Sequence, residues 1–233
     1  MNNARDNILQ RLRNSAGRIA QIDSNSAPPI PGRNDDTVET LRGSLAGTGT
    51  QVYVSSGQNW VSLCAGIFHT KGIRRLLYSA GTSMGKQLEE AFSSTACPML
   101  VRWQDTESFR DTLWSIDASL TSVQAGIAST GSLMIGSSTE EPRVMSLVPP
   151  IHIALLDAGR IYPTLEQALA AEVHVQSAPR NFVLISGPSK TADIEGSLVH
   201  GIHGPKELIV IICQEQPEGP HGRFSISDPC QEA

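Results

Sequence analysis

Apolar positions along this chain fall into two alternating patterns. Short continuous runs read as buried strands: Val52-Tyr53-Val54, residues 73–78, residues 99–103, residues 149–156, Phe182-Val183-Leu184-Ile185 and Leu208-Ile209-Val210-Ile211-Ile212. Between them lie segments with helical spacing: Thr37 to Leu45, Trp60-Leu63-Ile67-Phe68 up to Lys71, residues 86–92, 106–114 and 163–172. Regular strand–helix alternation predicts a largely parallel sheet with helices on both faces. The rhythm changes near residue 120. Residues 122–136 are rich in Gly and Ser without a helical period, which predicts short strands joined by a turn at Thr130-Gly131.

Residues 182–212 predict a βαβ unit. The run Phe182 to Ile185 is followed by a turn at Gly187-Pro188. A helix capped by Ser189 or Thr191 is then expected, because Ile194, Leu198 and Ile202 recur every four residues and would share one face. Gly204-Pro205 would end it. The loop from 186 to 193 would then lie at the carboxyl end of a strand, where open α/β sheets place ligands.

Residues 4–22 predict a separate amphipathic helix. Ile8, Leu12, Ile19 and Ile22 lie roughly on one face, and Arg5, Arg11, Arg13 and Arg18 decorate the rest. Such a helix either packs on its own domain or engages a partner. The expected organisation is a helical arm and linker over 1–36, one α/β domain over 37–213 and a polar, Pro- and Gly-rich flexible tail over 214–233.

Composition narrows the function classes. The chain has 233 residues and a formal net charge of -5, which argues against a general nucleic-acid binder. Its apolar runs are strand length, so no segment reads as a membrane span. Its first residues lack the apolar core of a secretory signal, so a cytoplasmic location is expected. Four cysteines, Cys64, Cys97, Cys213 and Cys230, are too far apart for a local cluster- or zinc-binding motif. Reduced thiols are expected.

Residues 81–86, Gly81-Thr82-Ser83-Met84-Gly85-Lys86, fail the phosphate-loop pattern. Ala80 stands where the first Gly belongs and Gln87 where Ser or Thr belongs, so a plain strand-to-helix loop is expected. No GxSxG elbow is present.

The run from Ile185 to Glu195, followed by Gly201-Ile202-His203-Gly204-Pro205, resembles the signature of the LUD-domain family, specifically its lactate utilisation protein C (LutC/YkgG) branch. Residues 128–132 and 148–153, and the opening Ala4 to Leu9, resemble other motifs of that family, so the likeness covers nearly the whole chain. The chain departs from the family pattern at Ser129, where an acid often precedes the Thr-Gly.

The resemblance implies a three-layer α/β/α fold with a largely parallel sheet, as in ribose-5-phosphate isomerase and the CoA transferases. It also implies a non-cluster subunit of an iron–sulfur electron-transport complex that oxidises L-lactate to pyruvate. The clusters are expected in partner subunits and no cofactor on this chain. The sequence leaves open whether the chain turns over by itself. Two other readings remain: a stand-alone enzyme acting on a sugar phosphate or acyl-CoA, and a structural or assembly subunit.

The candidate ligand-binding residues are Thr130, Gly131 and Ser132 in one turn, and Ser186, Gly187, Ser189, Lys190 and Thr191 in the second loop. A helix N-terminus with Lys190 suits a small anion. A capped helix with ordinary first-turn acids explains the same residues without a ligand. Asp193, Glu195 and His203 are the acid–base candidates. Asp193 and Glu195 would stand about 200° apart on a helix and cannot act as one pair from it. His200 and His203 would share a helix face, but no third metal ligand is patterned with them. His152, inside an apolar strand, is expected to be a satisfied core histidine.

Overall fold

A computed structural model describes residues 5, 7–11, 13, 35–56, 59–92, 98–104, 109–173, 181–192 and 198–214. The chain forms two compact units, residues 1–30 and 31–233. In the first, the described positions are helical and exposed. The rest of the expected 4–22 helix and residues 215–233 of the expected tail lie outside the described residues.

The second unit is built on six strands in the order β1-β12-β7-β4-β2-β3. These are β1 (Gln51–Ser56), β2 (Arg75–Tyr78), β3 (Met99–Arg102), β4 (Ala118–Val123), β7 (Ile151–Asp157) and β12 (Glu207–Gln214). Every neighbouring pair is parallel. The continuous apolar runs of β7 and β12 follow from burial on both faces.

Alternation along the strands divides two cores. Leu76, Leu120, Ile153, Leu155, Ile209 and Ile211 pack beneath helices α2 (Trp60–Lys71) and α3 (Ser83–Phe92). Ala154, Leu156, Leu208, Val210 and Ile212 face the other way, against helix α1 (Asp35–Gly47) and a smaller sheet. Two short helices, α4 (Phe109–Leu113) and α5 (Arg143–Leu147), pack over Leu77 on that second side. The result is a three-layer α/β fold, as expected. No helix among the described residues is long and apolar enough to cross a membrane.

The smaller sheet has the order β8-β5-β6-β9. It comprises β5 (Ala125–Ile127), β6 (Ser132–Gly136), β8 (Ile161–Tyr162) and β9 (Phe182–Ile185). Helix α6 (Leu165–Glu172) covers its outer side through Ala168 and Leu165. This sheet corrects the expected βαβ unit. The run 182–185 does not join the parallel sheet but pairs antiparallel with β6.

The expected helix after residue 189 is also corrected. Strands β10 (Lys190–Ala192) and β11 (Leu198–His200) pair antiparallel, Lys190 opposite His200. Thr191 and Val199 are opposed in this ladder, and β-branched side chains suit that backbone better than a helix. Ile202, placed by its spacing on a buried helix face, is 54% exposed.

Candidate functional site

The smaller sheet brings the two candidate loops together. In the β6–β9 ladder Leu133 stands opposite Ile185, so one step along places Ser132 opposite Ser186. Their hydroxyls lie 2.8 Å apart. Thr130 Oγ1 donates to Ser132 Oγ at 2.9 Å. Three hydroxyls from two distant stretches therefore form one hydrogen-bonded chain. Ser132 is buried, while Thr130 and Ser186 are exposed.

The C-terminal end of α1 closes this cluster from a third side. Gly131 adopts φ 61°, and a Cβ there would come within 2.5 Å of Ser44 Cβ. Gly187 has φ 155°, and a Cβ there would meet Thr48 Oγ1 at 2.6 Å. Only glycine permits these approaches. Thr48 Oγ1 donates to the Leu45 carbonyl at 2.7 Å and lies 3.1 Å from Thr50 Oγ1. Sequence reasoning missed Ser44 and Thr48, because nothing local marks a helix end as the neighbour of loops more than 80 residues downstream.

The remaining candidates are placed differently. Lys190 is exposed and donates from Nζ to the Thr48 carbonyl at 2.7 Å, where a cation suits the end of α1. Ser189 uses its amide on the Pro205 carbonyl and its carbonyl on Gly201. Thr191 lies in β10 opposite Val199. His203 is exposed in a bend, and His200 lies in β11 instead of sharing a helix face with it. Asp193 and Glu195 lie outside the described residues. The described hydrogen bonds bring hydroxyls and one ammonium to this surface, but no carboxylate or imidazole.

A second polar cluster lies at the carboxyl end of the parallel sheet. The crossover from β2 leaves toward α3 on one face, whereas that from its neighbour β4 leaves toward the smaller sheet on the other. Crevices form at such reversals of strand order. Glu141, in the loop between β6 and α5, is buried there. Its carboxyl accepts from the Ser122 amide at 3.1 Å and from the Ser122 hydroxyl. Burial pushes the carboxyl above its usual range, against the Ser122 bonds, which favour its charged form.

The exposed Glu140 carboxylate stands over Gly81, 3.4 Å from Ser79 Oγ. Gly81 starts the turn into α3, where Thr82 Oγ1 accepts from the Gly85 amide at 3.0 Å. The strand-to-helix loop expected there is therefore a capped one. The adjacent carboxylates Glu140-Glu141 ahead of Pro142 were the available sequence signal for this cluster.

His152 is the core histidine expected, but only one of its ring nitrogens is satisfied. It is fully buried, and Nε2 lies 2.8 Å from Thr121 Oγ1. Nδ1 has no hydrogen-bond partner among the described residues. Burial lowers its pKa to about 4, so the ring is neutral near pH 7. The thiols of Cys64 and Cys213 are both buried, and burial pushes each up to about 12. They are protonated and unreactive near neutrality.

Residues 38–213 match the LUD domain family. An uncharacterised protein of Neisseria meningitidis serogroup B is 35% identical over 164 residues, covering 70% of each chain. Lactate utilization protein C 1 of Bacillus mycoides is 27% identical over 175 residues, 72% of this chain and 74% of that protein. Lactate utilization protein C of Halalkalibacterium halodurans is 31% identical over 121 residues, and the match spans about half of each chain (49% and 52%). Among solved structures, a DUF162 family protein from Deinococcus radiodurans superposes with a TM-score of 0.56 at 20% identity. That superposition covers 76% of this chain and 96% of the other, and it supports the fold alone.

Proposed function

The chain belongs to the LUD domain family, and from that premise we propose that it serves lactate utilisation. In this reading it is the non-cluster subunit of a complex that oxidises L-lactate to pyruvate, and its iron–sulfur partners carry the electrons. The observation that carries the reading is the match to lactate utilization protein C 1 of Bacillus mycoides over 74% of that protein's length. The Thr130–Ser132–Ser186 hydroxyl chain then supplies the recognition surface, for a small anionic ligand or for a partner. It is polar, partly exposed and held between three segments of the fold.

In this reading the chemistry falls to the partner subunits. Deleting the gene tests this reading. The deletion strain is expected to stop growing on L-lactate as sole carbon source and to grow normally on glucose. Unimpaired growth on L-lactate in a strain without a second copy would overturn it.

A further inference from the structure

Strand β9 ends the smaller sheet on one side, and no described strand pairs with its far edge. The ladder to β6 fixes which backbone groups face that edge. Asn181 continues the ladder opposite Ser137, and its carbonyl accepts from the Ser137 amide at 3.1 Å. Directly opposed residues of an antiparallel pair alternate between bonded and non-bonded, so Val183 and Ile185 also turn their backbone groups toward β6. The N–H and C=O of Phe182, Leu184 and Ser186 therefore point outward. None of these backbone groups has a hydrogen-bond partner among the described residues.

The side chains at this edge suit a second strand. Alternation places Phe182, Leu184 and Ser186 on one face of the sheet, the face of Met134 and Ser132. Phe182 and Met134 belong to the core beneath α6, but Leu184 is 50% exposed. From Phe182 to Ser186 the chain carries no charge and no proline, and its pairing with β6 runs without a bulge. Charges, prolines and bulges are the devices that keep a sheet edge unpaired, and β9 has none of them. An identical strand fits best. The outward residues are spaced evenly about Leu184, so two copies of β9 can run antiparallel about a twofold axis at that residue. A twofold contact is self-complementary, and an uncharged strand brings no like charges together.

We propose that β9 pairs antiparallel with β9 of a second copy of this chain, joining the two four-stranded sheets into one. Leu184 bonds through its backbone to the partner's Leu184, and the two half-exposed side chains cover each other. The same register sets the partner's Phe182 beside Ser186, at the end of the Thr130–Ser132–Ser186 hydroxyl chain. The second copy then borders the recognition surface. The dimer is a property of this chain alone, so its failure leaves the lactate reading standing, and the converse holds equally.

The test measures the mass of the full chain in solution by light scattering across a dilution series. Twice the 25.0 kDa of one chain is expected at the concentrated end, falling toward one chain on dilution. Leu184→Lys places two ammonium groups at the twofold axis and should give a monomer. Leu184→Pro removes only an outward N–H, leaves the ladder to β6 intact and should also give a monomer. Both changes fall at a half-exposed position, and unchanged far-UV circular dichroism shows that the fold is kept. Hydrogen exchange over residues 181–187 should be slower in the wild-type chain than in either variant. A wild-type chain that is monomeric throughout overturns the proposal and leaves the edge to a strand of another protein. A dimer that persists in both folded variants overturns it equally, because the contact then lies elsewhere.

Discussion

At the scale of single residues, close approach and burial decide more than charge. Gly187 and Gly131 are pressed against α1, so Gly187→Ala must displace Thr48 and Gly131→Ala must displace Ser44. Each should destabilise by about 1–3 kcal/mol, measured by urea unfolding. His152 makes a pH prediction. Its folded pKa of about 4 lies below the ordinary 6.5, so between these values the unfolded chain binds the extra proton. The stability from the neutral ring is present above pH 6.5 and is lost as pH falls toward 4, by about 3 kcal/mol at most. Glu141 has the opposite sign, because its raised carboxyl pKa favours the folded state at lower pH. Stability–pH curves for His152→Gln and Glu141→Gln separate the two. The first variant should flatten the loss below pH 6.5, and the second should remove a loss that grows as pH rises above about 4.5.

At the scale of elements, legibility followed the length of the pattern. Five of the six central strands were readable from their apolar runs, such as Ile209 to Ile212, but β4 was not, because its buried Ser119 and Thr121 interrupt the run. The hairpin of β10 and β11 was not. Its strands are three residues each, too short to display a period of two. The fourfold spacing of Ile194, Leu198 and Ile202 imitated a helix, and the local Thr, Val and Gly content was the better guide. The turns at Thr130-Gly131 and Gly187-Pro188 were legible, but the meeting of Ser132 with Ser186 depends on a ladder between strands some 50 residues apart. Helix α3 offers a direct check on local packing. A Cβ on Gly85 would lie 1.8 Å from the Ser79 carbonyl oxygen, so Gly85→Ala should destabilise by about 3 kcal/mol or more. Thr82→Ala, which removes the cap and the hydroxyl's bond to the Ser79 carbonyl, should cost about 1 kcal/mol in the same unfolding experiment.

At the scale of the whole molecule, the parallel sheet separates two polar regions by construction. Its carboxyl edge carries the Glu141–Ser122 pair at the β2–β4 reversal. The smaller sheet and the end of α1 carry the hydroxyl chain. Among the described residues the buried Glu141 carboxyl thus lies apart from the hydroxyl chain. The proposed reading assigns recognition of a ligand or partner to this chain and electron transfer to other chains. The most direct measurement of this account is L-lactate-dependent dye reduction by the purified complex, with and without this chain. The account predicts that activity falls away on omission and returns when the wild-type chain is added back. Full activity in its absence would contradict it.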